Sequence, residues 1–199
     1  VRFCESLVLN GWASSSNPRG NQVHPFLKGV SNKHGIQEKM YKVDPSNPGS
    51  FSFSKETADA ASRLHGYAPA TALEDMLQLI TLDALAQDQK WHGDSIPPIA
   101  ILKIDVEGLE LKVLQGAKKL LRSQKVKNVF LELKSNQKFE EWEAMFSILL
   151  ESGYELYKIG DHLGPTDIVT TKFINGKELA SDIAKRSFEN ANIWLRLSE

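Results

Sequence analysis

Asp105 and Glu107 are the residues whose types and spacing point most directly to chemistry. Residues two apart in extended backbone project to the same side, about 6.5 Å from each other. Two carboxylates at that separation can share a cation, orient a hydroxyl or act as a general base. The glycine that follows, Gly108, removes side-chain bulk and lets a ligand approach the backbone. The segment is therefore a candidate reaction site.

A structural interpretation accounts for the same two acids without any chemistry. Asp105 can cap the N-terminus of a helix, and Glu107 can lie in its first turn, where carboxylates are favourable. The spacing alone supports the two interpretations about equally.

Both interpretations require a strand and a helix that meet at the acids. The apolar, β-branched run at 99–104 follows two prolines and predicts a buried parallel strand. From about Glu107 to Arg122, apolar residues recur at helical spacing and predict one amphipathic helix. Glu107 and Glu110 at its start and the cations at its end complement the helix dipole.

The remaining pattern predicts an α/β fold. Strands at 128–133 and 154–159, with a helix at 139–150 between them, complete an alternation typical of a parallel sheet. The alternating segment 191–197 predicts a last strand, antiparallel to the others. The first half is predicted to contain a helix at 1–12, loops at 13–21 and 44–54, a strand at 23–31 and a helix at 55–64. Segment 74–82 fits strand and helix equally well, and Asp83 is the predicted N-cap of a helix over 84–89.

Composition excludes several classes of function. The 199 residues have a net charge of -1 and 41% hydrophobic content, which suits a single globular domain over 1–199. No excess of positive charge attracts nucleic acid, and no apolar run approaches the length of a membrane span. The single cysteine excludes an internal disulfide, and the five histidines lack metal-ligand spacing, so no metal site is expected. We expect a soluble domain, cytoplasmic unless a targeting segment precedes Val1.

The strand prediction also locates the site. In open parallel sheets, ligands bind outside the carboxyl ends of the strands. Asp105 and Glu107 follow one predicted strand, and the next predicted strand ends near Glu132 and Lys134. His162 follows the strand at 154–159. Its loop can reach a molecule bound at the strand ends, where the His162 imidazole can act as a base.

Five segments of the chain carry a family resemblance: ILKIDVEGLELKVLQGA at 101–117, ITLD at 80–83, VFLE at 129–132, LLESGYEL at 149–156 and GVSNKHG at 29–35. Together they resemble FkbM-type methyltransferases, a branch of the S-adenosylmethionine-dependent enzymes with a Rossmann-like fold. The similarity is densest over 74–160, thinner over 1–43 and absent over most of 44–73.

This resemblance implies a mostly parallel Rossmann-like sheet and S-adenosylmethionine as the cofactor. The methyl acceptor is then a hydroxyl on a sugar, glycolipid or polyketide-like molecule. Asp105 and Glu107 would line the reaction site and Glu132 would support them, with Asp105 also near the cofactor. Ser31 and Asn32 match the positions where the family meets adenine.

One departure from the family concerns its glycine-rich cofactor loop and the acid that ends its second strand. Both would lie before Val1, so the resemblance implies an N-terminally truncated domain that does not bind the cofactor fully. In the family's sheet order, the strand at 23–31 would then have no neighbour, and unpaired buried backbone is costly.

Two other functions fit the acids. Glycosyltransferases that hold a nucleotide-sugar through a divalent cation also place paired acids at a strand end, although a helix that begins at Glu107 argues against this class. A module without catalytic activity is the third hypothesis.

Overall fold

The computed structural model describes nine segments of the chain. These are residues 23–44, 46, 51–88, 98–106, 108–134, 137–159, 170–173, 175–185 and 190–198. The predicted helix at 1–12, the predicted loop at 13–21, Glu107 and His162 lie outside them.

A five-stranded sheet forms the centre of the described fold. Its strands are β5 (Ile99–Ile104), β6 (Val126–Lys134), β7 (Tyr154–Ile159), β8 (Thr170–Phe173) and β9 (Asn190–Leu197). Their spatial order is β5-β6-β9-β7-β8. The strands predicted at 99–104 and 154–159 are confirmed with the same bounds, and the antiparallel direction of the last strand is confirmed.

The expectation of a mostly parallel sheet is wrong, because both sheets are mixed. Among the strands that the structure describes, β5 and β6 are the one pair of this sheet that runs in parallel. β9 lies between β6 and β7 and is antiparallel to both, and β8 adds a further antiparallel edge. Since β6 and β7 run in the same direction, the predicted directions hold, but β9 separates these two strands.

Helices cover one face of this sheet and form the core with it. They are α3 (Glu110–Gln115), α4 (Lys118–Arg122), α5 (Phe139–Glu151) and α6 (Gly176–Lys185). Alternate residues of β6, namely Val129, Leu131 and Leu133, are fully or almost fully buried on this side. Helix residues pack against them, including Val113, Leu114, Leu121, Met145, Phe146, Leu149 and Leu179.

Tyr154 contributes a buried polar contact to this core, and its removal is expected to change stability in a pH-dependent way. Its hydroxyl donates to the carbonyl oxygen of Val126 over 2.8 Å, and burial raises the pKa of Tyr154 to about 12. The Tyr154→Phe variant should lose about 0.5–1.5 kcal/mol of unfolding free energy at pH 8. The difference in unfolding free energy between wild type and variant should narrow between pH 10 and 12. In this range the tyrosine of the unfolded wild-type chain ionises near pH 10, which lowers the stability of the wild type but not that of the variant.

Urea denaturation at pH 8 and pH 10–11 measures this difference. Tyr67→Phe removes the same hydroxyl group at an exposed tyrosine and is the control. A Tyr154→Phe difference that stays constant over this range would contradict the burial of an un-ionised phenol.

A smaller sheet precedes the main one in the chain. Its order is β1-β4-β2-β3. The strands are β1 (Gly29–Val30), β2 (Gln37–Lys42), β3 (Phe51–Ser52) and β4 (Thr71–Ile80), and helix α1 (Lys55–Leu64) matches the predicted bounds. The ambiguous segment 74–82 is thus mainly strand, and the predicted loop at 44–54 contains β3.

The predicted lack of a neighbour for the strand at 23–31 is also wrong. Within that segment, Gly29 and Val30 form the strand, and they pair in parallel with Leu79 and Ile80 of β4. The pairing was missed because the pattern at 74–82 did not choose between strand and helix, so no partner strand was available from the sequence.

The helix predicted from Glu107 to Arg122 is two short helices. α3 ends at Gln115, α4 begins at Lys118, and a turn at Gly116 and Ala117 separates them. None of the helices in the described part of the chain has the length and the apolar sequence that a bilayer crossing requires.

Candidate active site at the carboxyl ends of two parallel strands

Strands β5 and β6 bring Asp105 and Glu132 to neighbouring positions. Ile104 is in register with Leu131; Asp105 follows β5 directly, and Glu132 is the next residue of β6, two residues before that strand ends. Because residues paired across parallel strands lie about 4.8 Å apart, this register places the two acids side by side on neighbouring strands. The structure therefore brings these two predicted residues together at the carboxyl edge of the only parallel pair in the described main sheet.

Asp105 lies on the sheet face opposite the helices. Its Oδ2 accepts a hydrogen bond and an ion pair from Lys103 Nζ over 2.9 Å, and a third of its side chain is exposed. The contact joins residues two apart, as expected when both project to one face. Phe130 and Glu132 on β6 alternate with the buried Leu131, so they belong to this same face.

Asp105 does not cap the following helix. The N-cap residue of α3 is Leu109, and no side chain donates or accepts a capping bond there. The structural interpretation is thus wrong for Asp105, whose Oδ1 makes no hydrogen bond with the residues that the structure describes. For Glu107, which is outside those residues, the choice stays a prediction.

Glu110 is the buried acid of the region, and sequence reasoning missed it. Its side chain is completely buried, and its Oε1 accepts the backbone N–H groups of Val106 (3.2 Å) and Gly108 (3.1 Å). Its Oε2 accepts the Gln137 Nε2 group over 2.6 Å. A signal was present in the sequence: Glu110 precedes Val113 by three residues, which places it on the apolar stripe.

Ser31 and Asn32 form the turn after β1, and this turn lies against the junction of α3 and α4. Ser31 is buried, and its hydroxyl donates to Asn32 Oδ1 over 3.3 Å. The Asn32 amide donates to Gln115 Oε1 over 2.8 Å. Gly116 allows this close approach, because a Cβ there would lie 2.2 Å from the Ser31 carbonyl oxygen. Close packing is thus the reason for a glycine at this position.

Helix α3 consequently joins the two predicted parts of the site. Its first residue, Glu110, holds the segment after Asp105, and its last residue, Gln115, holds Asn32. A helix of six residues spans about 9 Å, so the two parts are separated by a short rigid element.

Comparison with known protein families decides the class of the molecule. The methyltransferase FkbM domain matches residues 18–156, more than two thirds of the chain. The chain belongs to the FkbM methyltransferase family. It is therefore a methyltransferase, and this finding favours the first of the three functional hypotheses over the other two. Neither the curated proteins nor the solved structures contain a match.

The matched range of this FkbM methyltransferase includes most of the predicted site. Ser31, Asn32, Asp105, Glu107 and Glu132 lie within it, and it also covers the stretch 44–73, where no resemblance was evident. His162 follows the matched range and lies outside the described residues. No group of three or more potential metal-ligating side chains occurs in the described part of the chain.

The structure explains the Thr-Leu-Asp element at 81–83 of this FkbM methyltransferase and corrects the prediction for Asp83. Helix α2 (Leu82–Asp88) is capped by Thr81, whose hydroxyl oxygen accepts the Ala84 N–H over 3.1 Å. Asp83 instead caps the distant helix α4, since its Oδ1 accepts the Leu120 N–H over 2.8 Å and its Oδ2 the Lys119 N–H over 3.1 Å. Helix α4 has no cap from its own N-cap residue.

Asp83→Ala is therefore expected to lower the free energy of unfolding by about 1–2 kcal/mol, because two backbone N–H groups lose their acceptor. Asp88→Ala, at an exposed position in the same helix, is the matched control. Urea denaturation gives both values. Equal effects of the two substitutions would contradict the capping of α4 by Asp83.

The described residues suit S-adenosylmethionine at the strand ends. Its ribose hydroxyls donate hydrogen bonds and its sulfonium is a cation, and ionised carboxylates match both kinds of group. One oxygen of the Asp105 carboxylate pairs with Lys103, and the side chain is partly exposed. The carboxylate can therefore accept a hydrogen bond from a further donor. At the other end of α3, Asn32 is exposed while its amide is held by Gln115.

Proposed function

We propose that this FkbM methyltransferase transfers a methyl group from S-adenosylmethionine to a hydroxyl group of a sugar, glycolipid or polyketide-like acceptor. The proposal includes a Rossmann-like methyltransferase arrangement of the main sheet. The observation that carries it is the adjacency of Asp105 and Glu132 at the carboxyl ends of two parallel strands, within a chain of this family. Open α/β sheets bind their ligands at this edge.

The acids have a direct use in this reaction. S-adenosylmethionine, when bound, supplies an electrophilic methyl group on its sulfonium sulfur. Asp105 is proposed to hold the cofactor and to orient the acceptor hydroxyl, with Glu107 beside it in the sequence. With the cofactor bound, one of these carboxylates would accept the hydroxyl proton as the oxygen takes the methyl group, while the methyl–sulfur bond breaks and the neutral thioether leaves. Glu132 would support the charge balance from the neighbouring strand.

Other predicted residues complete the proposal. Ser31 and Asn32 are assigned to the adenine end of the cofactor, where their turn is held by Gln115 and Gly116. His162 is proposed as a second candidate base on the acceptor side. The sheet face beside Asp105 carries the stacked rings of Phe130 and Trp194, which supply an apolar surface near the acids.

Ligand-induced stabilisation tests the proposal. S-adenosylhomocysteine at 100 times its Kd should stabilise the chain by about 2.7 kcal/mol, measured as a rise in Tm. A nucleotide-sugar with manganese is the control and should leave Tm unchanged. Stabilisation by the nucleotide-sugar and manganese alone would contradict the proposal. Transfer of a labelled methyl group to a panel of glycans, glycolipids and hydroxylated polyketides then identifies the acceptor class.

A further inference from the structure

The buried carboxylate of Glu110 is the end of a chain of hydrogen bonds that crosses from the acid-bearing turn to helix α5. Trp142 on α5 donates its indole N–H to Gln137 Oε1 over 3.2 Å, and Gln137 donates its amide to Glu110. Because an indole nitrogen only donates, the Gln137 oxygen must face it, and the Gln137 amide nitrogen must face Glu110.

This arrangement surrounds Glu110 with donors. The two backbone N–H groups and the Gln137 amide all point to its oxygens, and the side chain is completely buried. An ionised carboxylate only accepts hydrogen bonds, so it matches three donors, and such charge-assisted bonds offset the cost of burying a charge.

The two backbone donors lie in the segment that follows β5. Val106 follows Asp105 directly, and Val106 and Gly108 are the sequence neighbours of Glu107. Gly108 has a φ of +92°, a conformation that glycine adopts readily and other residues rarely do. The hydrogen bonds from Val106 and Gly108 to Glu110 fix this turn from inside the core.

We propose that Glu110 is a positioning residue for methyl transfer: its buried carboxylate holds the turn after β5 so that Asp105 is presented at the sheet edge. The inference rests on the proposed function. Glu110 itself touches no reacting atom in this proposal. It acts through the backbone of Val106 and Gly108, and its own orientation depends on Gln137 and Trp142.

Glu110→Gln is the first test because it preserves shape and removes one acceptor. If the introduced glutamine keeps its oxygen on the backbone donors, its amide faces the amide of Gln137. If Gln137 turns over to accept that amide, its own nitrogen then faces the Trp142 N–H. Either orientation leaves two donors in opposition. Adding Gln137→Glu supplies a carboxylate that accepts both the amide N–H of the glutamine at position 110 and the Trp142 N–H. The double variant Glu110→Gln/Gln137→Glu should therefore recover the network.

Two measurements on the full chain read the effect. Calorimetric titration gives the Kd of S-adenosylhomocysteine at a temperature where circular dichroism shows each variant to be folded. Hydrogen exchange gives the protection of the Val106 and Gly108 amides. For Glu110→Gln we expect binding weakened about 10–100-fold, as for other small misplacements of site residues, and faster exchange at both amides. The double variant should recover both within a few fold. Glu140→Gln, at an exposed acid in the first turn of α5, should change neither.

The outcomes are separable. Wild-type chain that does not bind S-adenosylhomocysteine overturns the proposal that the residues of this chain hold the cofactor, while the exchange data still decide whether Glu110 holds the turn. Binding by folded Glu110→Gln at the wild-type Kd overturns the positioning role, as does a double variant that regains amide protection without regaining affinity. If Glu110→Gln does not fold, Gln137→Met removes one donor and keeps both backbone bonds. Gln137→Met should then weaken binding, and wild-type affinity in this variant would overturn the inference.

Discussion

Asp105→Asn is expected to weaken the binding of S-adenosylhomocysteine about 10–100-fold, because a charge-assisted hydrogen bond is replaced by a weaker neutral one. Methyl transfer should fall further, by about 10²–10⁴-fold, if the carboxylate also acts on the acceptor proton. Stability should change little, because the side chain lies outside the core and its ion pair with Lys103 is partly exposed. Calorimetric titration and a labelled-methyl assay measure the two effects.

Two control variants distinguish the effect of the Asp105 carboxylate from the effects of its ion pair and of removing an acid elsewhere. Lys103→Gln removes the ion pair and keeps the Asp105 carboxylate, so it should retain most of the affinity. Asp75→Asn makes the same chemical change at an exposed position on β4, away from the strand ends, and should retain all of it. Wild-type affinity in Asp105→Asn would remove Asp105 from the proposed cofactor site. An equal loss in Lys103→Gln would assign the effect to the ion pair rather than to the acid.

Gly116→Ala should lower the free energy of unfolding by about 1–3 kcal/mol, the cost of forcing atoms into a packed contact. Backbone conformation predicts the opposite sign. Gly116 has φ -82° and ψ 1°, which alanine adopts without strain, and such substitutions normally stabilise by about 0.4–1 kcal/mol. The added Cβ, however, would lie 2.2 Å from the Ser31 carbonyl oxygen and 3.2 Å from Asn32 Cα. These are backbone atoms of the β1 turn, so they cannot rotate away as a side chain does.

Gly66→Ala provides the reverse comparison. Gly66 has a φ of +73°, where alanine is strained by about 1–2 kcal/mol, but a Cβ there meets open space. Urea denaturation should show stability losses for both variants, while only Gly116→Ala should displace the Ser31 turn and weaken binding of S-adenosylhomocysteine. A neutral or stabilising Gly116→Ala would show that the turn can move away from the helix junction.

Local patterns in the sequence were sufficient for many elements and for part of the site. The order of apolar and polar residues within one segment predicts several elements. These are the strands at Ile99–Ile104 and Tyr154–Ile159, helix α1 and the buried face of α5. The position of Asp105 directly after β5 and that of Glu132 near the end of β6 follow from the same local information. Family membership also follows from the sequence, through the motif at 101–117 and the matched range 18–156.

Other features depend on residues far apart in the chain, and only the tertiary structure decided them. The insertion of β9 between β6 and β7 and the pairing of β1 with β4 leave no local mark, because any strand offers the same backbone donors and acceptors to any neighbour. The close packing at Gly116 depends on the Ser31 turn, and the role of Asp83 depends on the N–H groups of a helix more than thirty residues away. Glu110 is buried as an acid because Val106, Gly108 and Gln137 meet it with three donors, and that convergence exists only once the chain has folded.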